Sequence, residues 1–438
     1  MEPVNDIVVG RSPADTRRWG TKGAILLGKQ WIEKNSNMEL GPKLYLDVTD
    51  AHVFFICGKR GGGKSYTMGV IAEGFSLLEP AIRNNLSIIL LDTMGVYWSM
   101  THPNHKEKKL LEPYNLYPMG IDVKIYTPEK FYHEYQKKGI PTSAPFSINP
   151  AELEAEDWCK AFRVEKYSES GIMIADVVST LREKQGHKYS IDELIQTSLT
   201  VNAETHTKNV VSQMFKMAKA WGLFAEKSTP LKDLAKGGQV TVLDVSCYAT
   251  MPGGWDVKAL VVGIVAKHLF VQRMNVRKAE EYENIKHVEQ YFEGANMNVA
   301  KQDYPLVWLV IDEAHEFMPK EGTTAATEPL VTILREGRQP GISLILATQQ
   351  PGKIHSDVLT QSDTVISHRI TAQIDVSALG VLAQSYMQDG LVRAMNYLPA
   401  LKGCAVVFDD KNEKIYQVRI RPRFTWHGGA SPNAMKEL

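Results

Sequence analysis

The chain has 438 residues, 44% of them hydrophobic, with 50 basic and 50 acidic side chains in balance. The length allows two to three domains, and the composition is that of an ordinary globular protein. The neutral total gives no global field for nucleic acid, but it does not exclude a local positive channel. No apolar run approaches the roughly 18 residues of a membrane span, and the N-terminus carries no basic-then-apolar secretory signal. Cys57, Cys159, Cys247 and Cys404 lie far apart without a C-x-x-C pair. That argues against a disulfide framework or a cysteine zinc site and fits a reducing, cytoplasmic setting. Cys57 and Cys247 adjoin apolar runs and read as small core residues.

In chain order, residues 7–10, 23–28 and 43–48 are short strand candidates separated by turn residues. They define a small β-rich, barrel-like segment over 1–50, too short to be robust alone. From residue 53 onward, strands alternate with helices. The strand candidates are 53–57, 87–92, 123–126, 240–245, 306–311 and 342–347, each nearly continuously apolar. Such runs predict strands buried on both faces of a mostly parallel sheet. Three of them run into Asp92, Asp244 and Asp312, and ligands of open parallel sheets gather at the carboxyl ends of strands. Residues 150–236 carry no such strand and read as a helical insertion, with breaks near Gly171, Gly186 and Ser190. Residues 256–280 are helical, 281–304 read as a polar exposed connection, and 404–408 with 414–420 read as a hairpin. The core therefore spans 51–149 and 237–403, with a C-terminal hairpin and tail over 404–438.

Residues 53–65 carry the chemistry. The apolar run Val53–Cys57 feeds Gly58, Lys59, Arg60, Gly61, Gly62, Gly63, Lys64 and Ser65, then a helix over 66–78 that opens with Tyr66. This is the G-x-x-x-x-G-K-[ST] pattern of a phosphate loop. Glycines let backbone N–H groups wrap phosphate oxygens, Lys64 reaches the β- and γ-phosphates, and the Ser65 hydroxyl binds Mg²⁺. The helix N-terminus adds positive dipole beneath the phosphates.

The run Leu309–Ile311 ends in Asp312 and Glu313. Behind a phosphate loop, these suit a metal-shell aspartate and a glutamate that polarises the attacking water, which indicates hydrolysis. His315 follows without a partner at metal spacing. Gln349, at the tip of the 342–347 strand, could touch the γ-phosphate or its water. Arginines of the Leu334–Gly341 segment suit either surface ion pairs or a finger that completes a neighbouring subunit's site. Lys106, Lys108 and Lys109 form a basic cluster suited to either a DNA-facing loop or plain solvation.

Taken with Val310–Phe317, Leu334–Gly341, Ala347–Gln350 and the closing Arg421–Gly429, the chain resembles the HerA-like branch of the HerA–FtsK ATPases. The resemblance implies an α/β fold with a RecA-like P-loop core, a small N-terminal β-barrel and a helical insertion. It further implies ATP and Mg²⁺ as cofactors, a homo-hexameric ring, translocation of double-stranded DNA, and a NurA-like nuclease or another effector as partner. By position, Lys64 and Ser65 become the loop pair, Asp312 and Glu313 the metal and water residues, and Gln349 the γ-phosphate sensor. Arg338 becomes the finger supplied in trans, with Arg369 a second candidate, and the C-terminal tail a segment reaching an adjacent subunit. The N-terminal segment is shorter than that family's barrel, and no pore loop can be matched. A protein-directed secretion or conjugation motor and an ATP-gated effector scaffold are the alternative functions.

Overall fold

The computed structural model describes residues 6–34, 37–292, 304–370, 372–380, 388–399 and 401–429. Its strands are β1 (Ile7–Val9), β2 (Ala24–Lys34), β3 (Asn37–Asp47), β4 (Val53–Cys57), β5 (Leu86–Asp92), β6 (Val123–Pro128), β7 (Ala144–Phe146), β8 (Val240–Asp244), β9 (Leu306–Ile311), β10 (Ile342–Thr348), β11 (Thr364–His368), β12 (Cys404–Asp409) and β13 (Lys414–Ile420). They form one sheet in the order β1-β3-β2-β13-β12-β11-β4-β10-β9-β5-β8-β6-β7. From β11 to β7 every pairing is parallel. The three N-terminal strands, expected as a small barrel-like segment, join the same sheet through an antiparallel β13–β2 pairing.

The strand order positions the chemistry. β10 lies between the phosphate-loop strand β4 and the acidic strand β9. Its last paired residues reach Cys57 on one side and Ile311 on the other. A side chain just past β10 therefore faces both the loop and the acids. Continuous Val, Ile and Leu make these central strands buried on both faces. One face packs under the Lys64–Ser76 helix, where Trp308 meets Phe54 and Phe75 at ring-centroid distances of 5.0 and 5.6 Å. The other packs under the long helix and the helical segment, around fully buried Trp158.

Between Ala155 and Ala220 the described elements are helices: Ala155–Phe162, Glu169–Gln185, Ile191–Thr200 and Thr205–Ala220. The break near Gly171 falls just before it, at residues 163–168, and Ser168 caps the second helix by accepting the Gly171 amide. Gly186 ends that helix, and Ser190 caps the next through a reciprocal pair with Glu193. The helix expected over 256–280 runs from Gly254 to Phe292. Around residues 277–281 its sequence turns charged and carries i,i+3 and i,i+4 ion pairs, Arg277–Glu280 and Arg277–Glu281. Part of the predicted connection is thus helix, and residues 293–303 lie outside the described residues.

Residues 421–429 close back on the chain. Glu73, on the helix that follows the phosphate loop, is fully buried. It accepts from Arg421 Nη1 at 2.6 Å, Arg423 Nε at 3.2 Å, and both the hydroxyl and the amide of Thr425 at 2.6 and 3.0 Å. Gly69 leaves room for this, since a Cβ there would lie 2.6 Å from the Arg423 guanidinium carbon. Residues 421–429 of the tail are packed on their own chain. Residues 430–438 lie outside the described residues.

Candidate functional site: a phosphate loop facing two acids

The loop between β4 and the Lys64–Ser76 helix turns at Gly63, whose φ of +114° is left-handed backbone that a side chain would strain. A Cβ there would also lie 3.1 Å from the ring of His368. That histidine, at the end of β11, is fully buried between the Thr67 hydroxyl at 2.9 Å and the Cys404 carbonyl at 3.1 Å. Burial pushes its pKa down to about 4, so it stays neutral behind the loop. Lys64 Nζ donates to the Gly58 carbonyl at 3.0 Å and more weakly to the Lys59 carbonyl at 3.4 Å. Lys59, Arg60 and Gly61 at the loop tip are exposed, and Gly62 is half-buried. Tyr66 donates to Glu107 Oε2 at 2.5 Å and accepts from the Arg423 amide at 2.6 Å.

The two acids sit opposite. Ser65 Oγ donates to Asp312 Oδ2 at 2.8 Å, across 247 residues of sequence. Asp312 Oδ1 accepts the Glu313 amide at 2.9 Å. Burial, and secondarily Glu313, hold the Asp312 carboxyl above its ordinary pKa, while Ser65 and Lys64 pull it back. Burial also lowers the Lys64 pKa, against the pull of Asp312 and Glu313. Two hard oxygen groups at hydrogen-bond distance, in an acid-rich buried setting, are the donor set that suits Mg²⁺.

Glu313 has φ +51°, left-handed backbone in a non-glycine residue, a form of strain that concentrates at functional sites. Its Oε1 accepts from Gln349 Nε2, and its buried Oε2 has no hydrogen-bond partner among the described residues. His315 Nδ1 lies 3.6 Å from that oxygen and 2.9 Å from the Thr348 hydroxyl. One carboxylate oxygen is therefore held and the other is left over, an arrangement that can take a proton from a bound water.

Next in the sheet, Asp92 and Asp244 stand in register on β5 and β8. Burial and the neighbouring Asp244 push Asp92 up to about 7, and burial also raises Asp244. Lys258 faces this pair and donates to the Thr93 carbonyl at 3.0 Å.

The arginines divide. Arg369 follows β11, and its carbonyl accepts the Lys59 amide at 3.4 Å, so it stands beside its own loop with its side chain exposed. Arg338 precedes β10, at the opposite edge of the sheet from Gln349. The seven residues of β10 separate the two by roughly 20 Å of strand. Lys106, Lys108 and Lys109 are exposed, with Lys106 Nζ 4.8 Å from the Trp426 ring centroid. Sequence reasoning missed the His368 backing, the Glu73 cluster and the His315 contact. His315 and the Arg421–Gly429 segment were noted without these contacts, and His368 adjoins Arg369. Cys57 is buried as expected, whereas Cys247 is only half-buried.

This is a RecA-like P-loop fold, with the phosphate loop and the Asp-Glu pair separated by one strand that carries a polar tip. The chain belongs to the family described as Helicase HerA, central domain, whose model matches residues 36–269. A second model, that of the zonular occludens toxin, matches residues 255–384. A relative in Methanocaldococcus jannaschii, a probable DNA double-strand break repair helicase HerA, is 25% identical over 362 residues. The DNA double-strand break repair helicase HerA of Pyrococcus furiosus is 24% identical over 395 residues. These alignments take in 76% and 84% of this chain, but only 65% and 66% of the relatives' lengths. VirB4 of Thermoanaerobacter pseudethanolicus shares the fold at a TM-score of 0.53 and 14% identity, with 92% of this chain and 97% of that one covered. Among the described residues no helix is long and apolar enough to cross a membrane.

Proposed function

We propose that the chain is an ATP-hydrolysing subunit of a homo-hexameric ring that translocates double-stranded DNA. The observation that carries the hydrolytic half is the convergence of Lys64, Ser65, Asp312, Glu313 and Gln349 at one edge of the sheet. Loop residues 58–66 cradle the phosphates, and Lys64 shifts from loop carbonyls to phosphate oxygens. Ser65 and Asp312 are the residues that would hold Mg²⁺, which would supply charge neutralisation for phosphate transfer. Glu313 takes the proton of the attacking water, and Gln349 fixes Glu313 while sensing the γ-phosphate. The DNA half rests on the family and on what its relatives are named for. Backbone gripping of that kind is salt-dependent and sequence-tolerant. A NurA-like nuclease or another effector is the partner this reading expects, in a cytoplasmic setting. A protein-directed motor is the other reading the fold admits, and stimulation of ATP turnover by linear duplex DNA separates the two.

Arg338 lies too far along β10 to serve its own loop, so its catalytic use is in trans, with Arg369 beside its own loop as the second candidate. Arg338→Ala and Glu313→Gln proteins are each expected to turn ATP over poorly. Mixed in equal amounts, about a quarter of the interfaces regain both groups, and activity returns in part. Intact rings with no recovery would remove Arg338 from the finger role.

A further inference from the structure

The ladder between β10 and β9 stops at the Leu346–Ile311 pair, while β10 stays paired with β4 as far as Thr348 and Cys57. The tip of β10 is therefore tied by its backbone on the phosphate-loop side and not on the acid side. Glu313 and Gln349 both lie past that last β9 pair, so contacts outside the ladder set the distance between them. His315 supplies one. It sits in the short turn Ala314–Glu316, anchored by fully buried Ala314 and Phe317, and its side chain is 9% exposed. Its Nδ1 lies 2.9 Å from the hydroxyl of Thr348, which also accepts the Gln350 amide at 3.0 Å. Its Nε2 faces Gln350 Nε2 at 3.4 Å and Glu316 Oε1 at 3.5 Å. A hydroxyl both donates and accepts, so the bond to Thr348 forms in either imidazole tautomer.

The residues on both sides of Gln349 thus touch one imidazole, and Gln349 itself donates to Glu313 Oε1. We infer that His315 is a positioning residue for hydrolysis, closing the gap between the β9 turn and the β10 tip and so holding Glu313 in place through Gln349. The inference rests on the reading of Glu313 as the base that activates the attacking water. The ring does not occupy the working oxygen. Its Nδ1 is 3.6 Å from Glu313 Oε2, beyond hydrogen-bond reach, which leaves that oxygen for water. Glu313 needs outside support, because a left-handed backbone in a non-glycine residue persists only where the surrounding structure holds it. A base must come within hydrogen-bond reach of the proton it takes. Misplacing it by about 1 Å costs about a hundredfold in rate.

The test compares native, His315→Ala, His315→Asn and Thr348→Val proteins as intact oligomers. The readouts are single-turnover hydrolysis at saturating ATP, equilibrium binding of a fluorescent nucleotide, and melting curves. Asn places an amide where Nδ1 stands and keeps the Thr348 bond, whereas Val keeps the shape of Thr348 and removes its hydroxyl. His315→Ala and Thr348→Val are expected to slow hydrolysis about ten- to a hundredfold with nucleotide affinity unchanged, and His315→Asn to restore most of the rate. His315→Ala is then added to Glu313→Gln protein. There it is expected to cost nothing further, because residues that act as a unit are non-additive. Should His315→Ala not fold, Thr348→Val makes both comparisons. A native rate in the folded variants overturns the inference and leaves the phosphate-loop and base readings standing. An equal further loss in the Glu313→Gln background also overturns it, since the histidine then acts on something other than the base. Near-native turnover in Glu313→Gln alone overturns the base reading, and the inference with it.

Discussion

Lys64→Ala protein is expected to bind ATP at least about a hundredfold more weakly than the native chain. Lys64 is buried, and its ammonium is satisfied by the Gly58 and Lys59 carbonyls of the loop it closes. Bound phosphates would replace those carbonyls with full negative charge. A charge-assisted hydrogen bond is worth about 1.5–3 kcal/mol, and each 1.4 kcal/mol is tenfold in affinity. The removed ammonium serves more than one phosphate oxygen, which places the loss at the upper end. The fold should survive, because Gly63 and the His368 backing set the loop's path independently of Lys64. Equilibrium binding of a fluorescent nucleotide, with a melting curve to confirm folding, measures this. An unchanged affinity would sink the loop assignment.

The second large effect falls on turnover. Glu313→Gln protein is expected to bind ATP like the native chain and hydrolyse it about 100- to 10,000-fold more slowly, the range for loss of a general base. The substitution preserves shape. Gln349 can still donate to the side-chain oxygen it now contacts, and the left-handed backbone at 313 is not altered. The change is at Oε2, the buried oxygen with no hydrogen-bond partner, where an amide nitrogen cannot accept a proton. Single-turnover hydrolysis with saturating ATP separates the binding and chemical steps. Near-normal turnover would place the base elsewhere.

The central strands were legible because burial on both faces writes itself as uninterrupted Val, Ile and Leu, as in β5 and β10. β7 was not, since three residues around Pro145 carry no such run. Nor was β11, whose Ser367 and His368 are buried polar groups, the histidine held by Thr67 and the Cys404 carbonyl from distant parts of the chain. The long helix was read as ending near residue 280. At that point the apolar stripe gives way to charged residues, and the Arg277–Glu281 ion pair spans the change. The phosphate loop and the Asp-Glu pair are local patterns and could be read directly. What brings Gln349 onto Glu313 is the placement of β10 between β4 and β9, a topological fact that no local stretch encodes. The same holds for Glu73 and Arg421, 348 residues apart.

That strand order also gives the two arginines different prospects. Arg369 adjoins its own loop through its carbonyl, whereas Arg338 stands before β10, at the other end of the strand from Gln349, the placement that the mixing experiment tests.

The most direct measurement is the steady-state ATPase rate of the intact oligomer against added linear double-stranded DNA at several salt concentrations, with Lys64→Ala protein as the blank. A rate that climbs severalfold with DNA and loses that gain as salt rises, through release of counterions from phosphate contacts, is the result predicted for a DNA motor. A native rate well above the blank but indifferent to DNA at every salt concentration would contradict that account and favour a protein-directed motor or an ATP-gated scaffold.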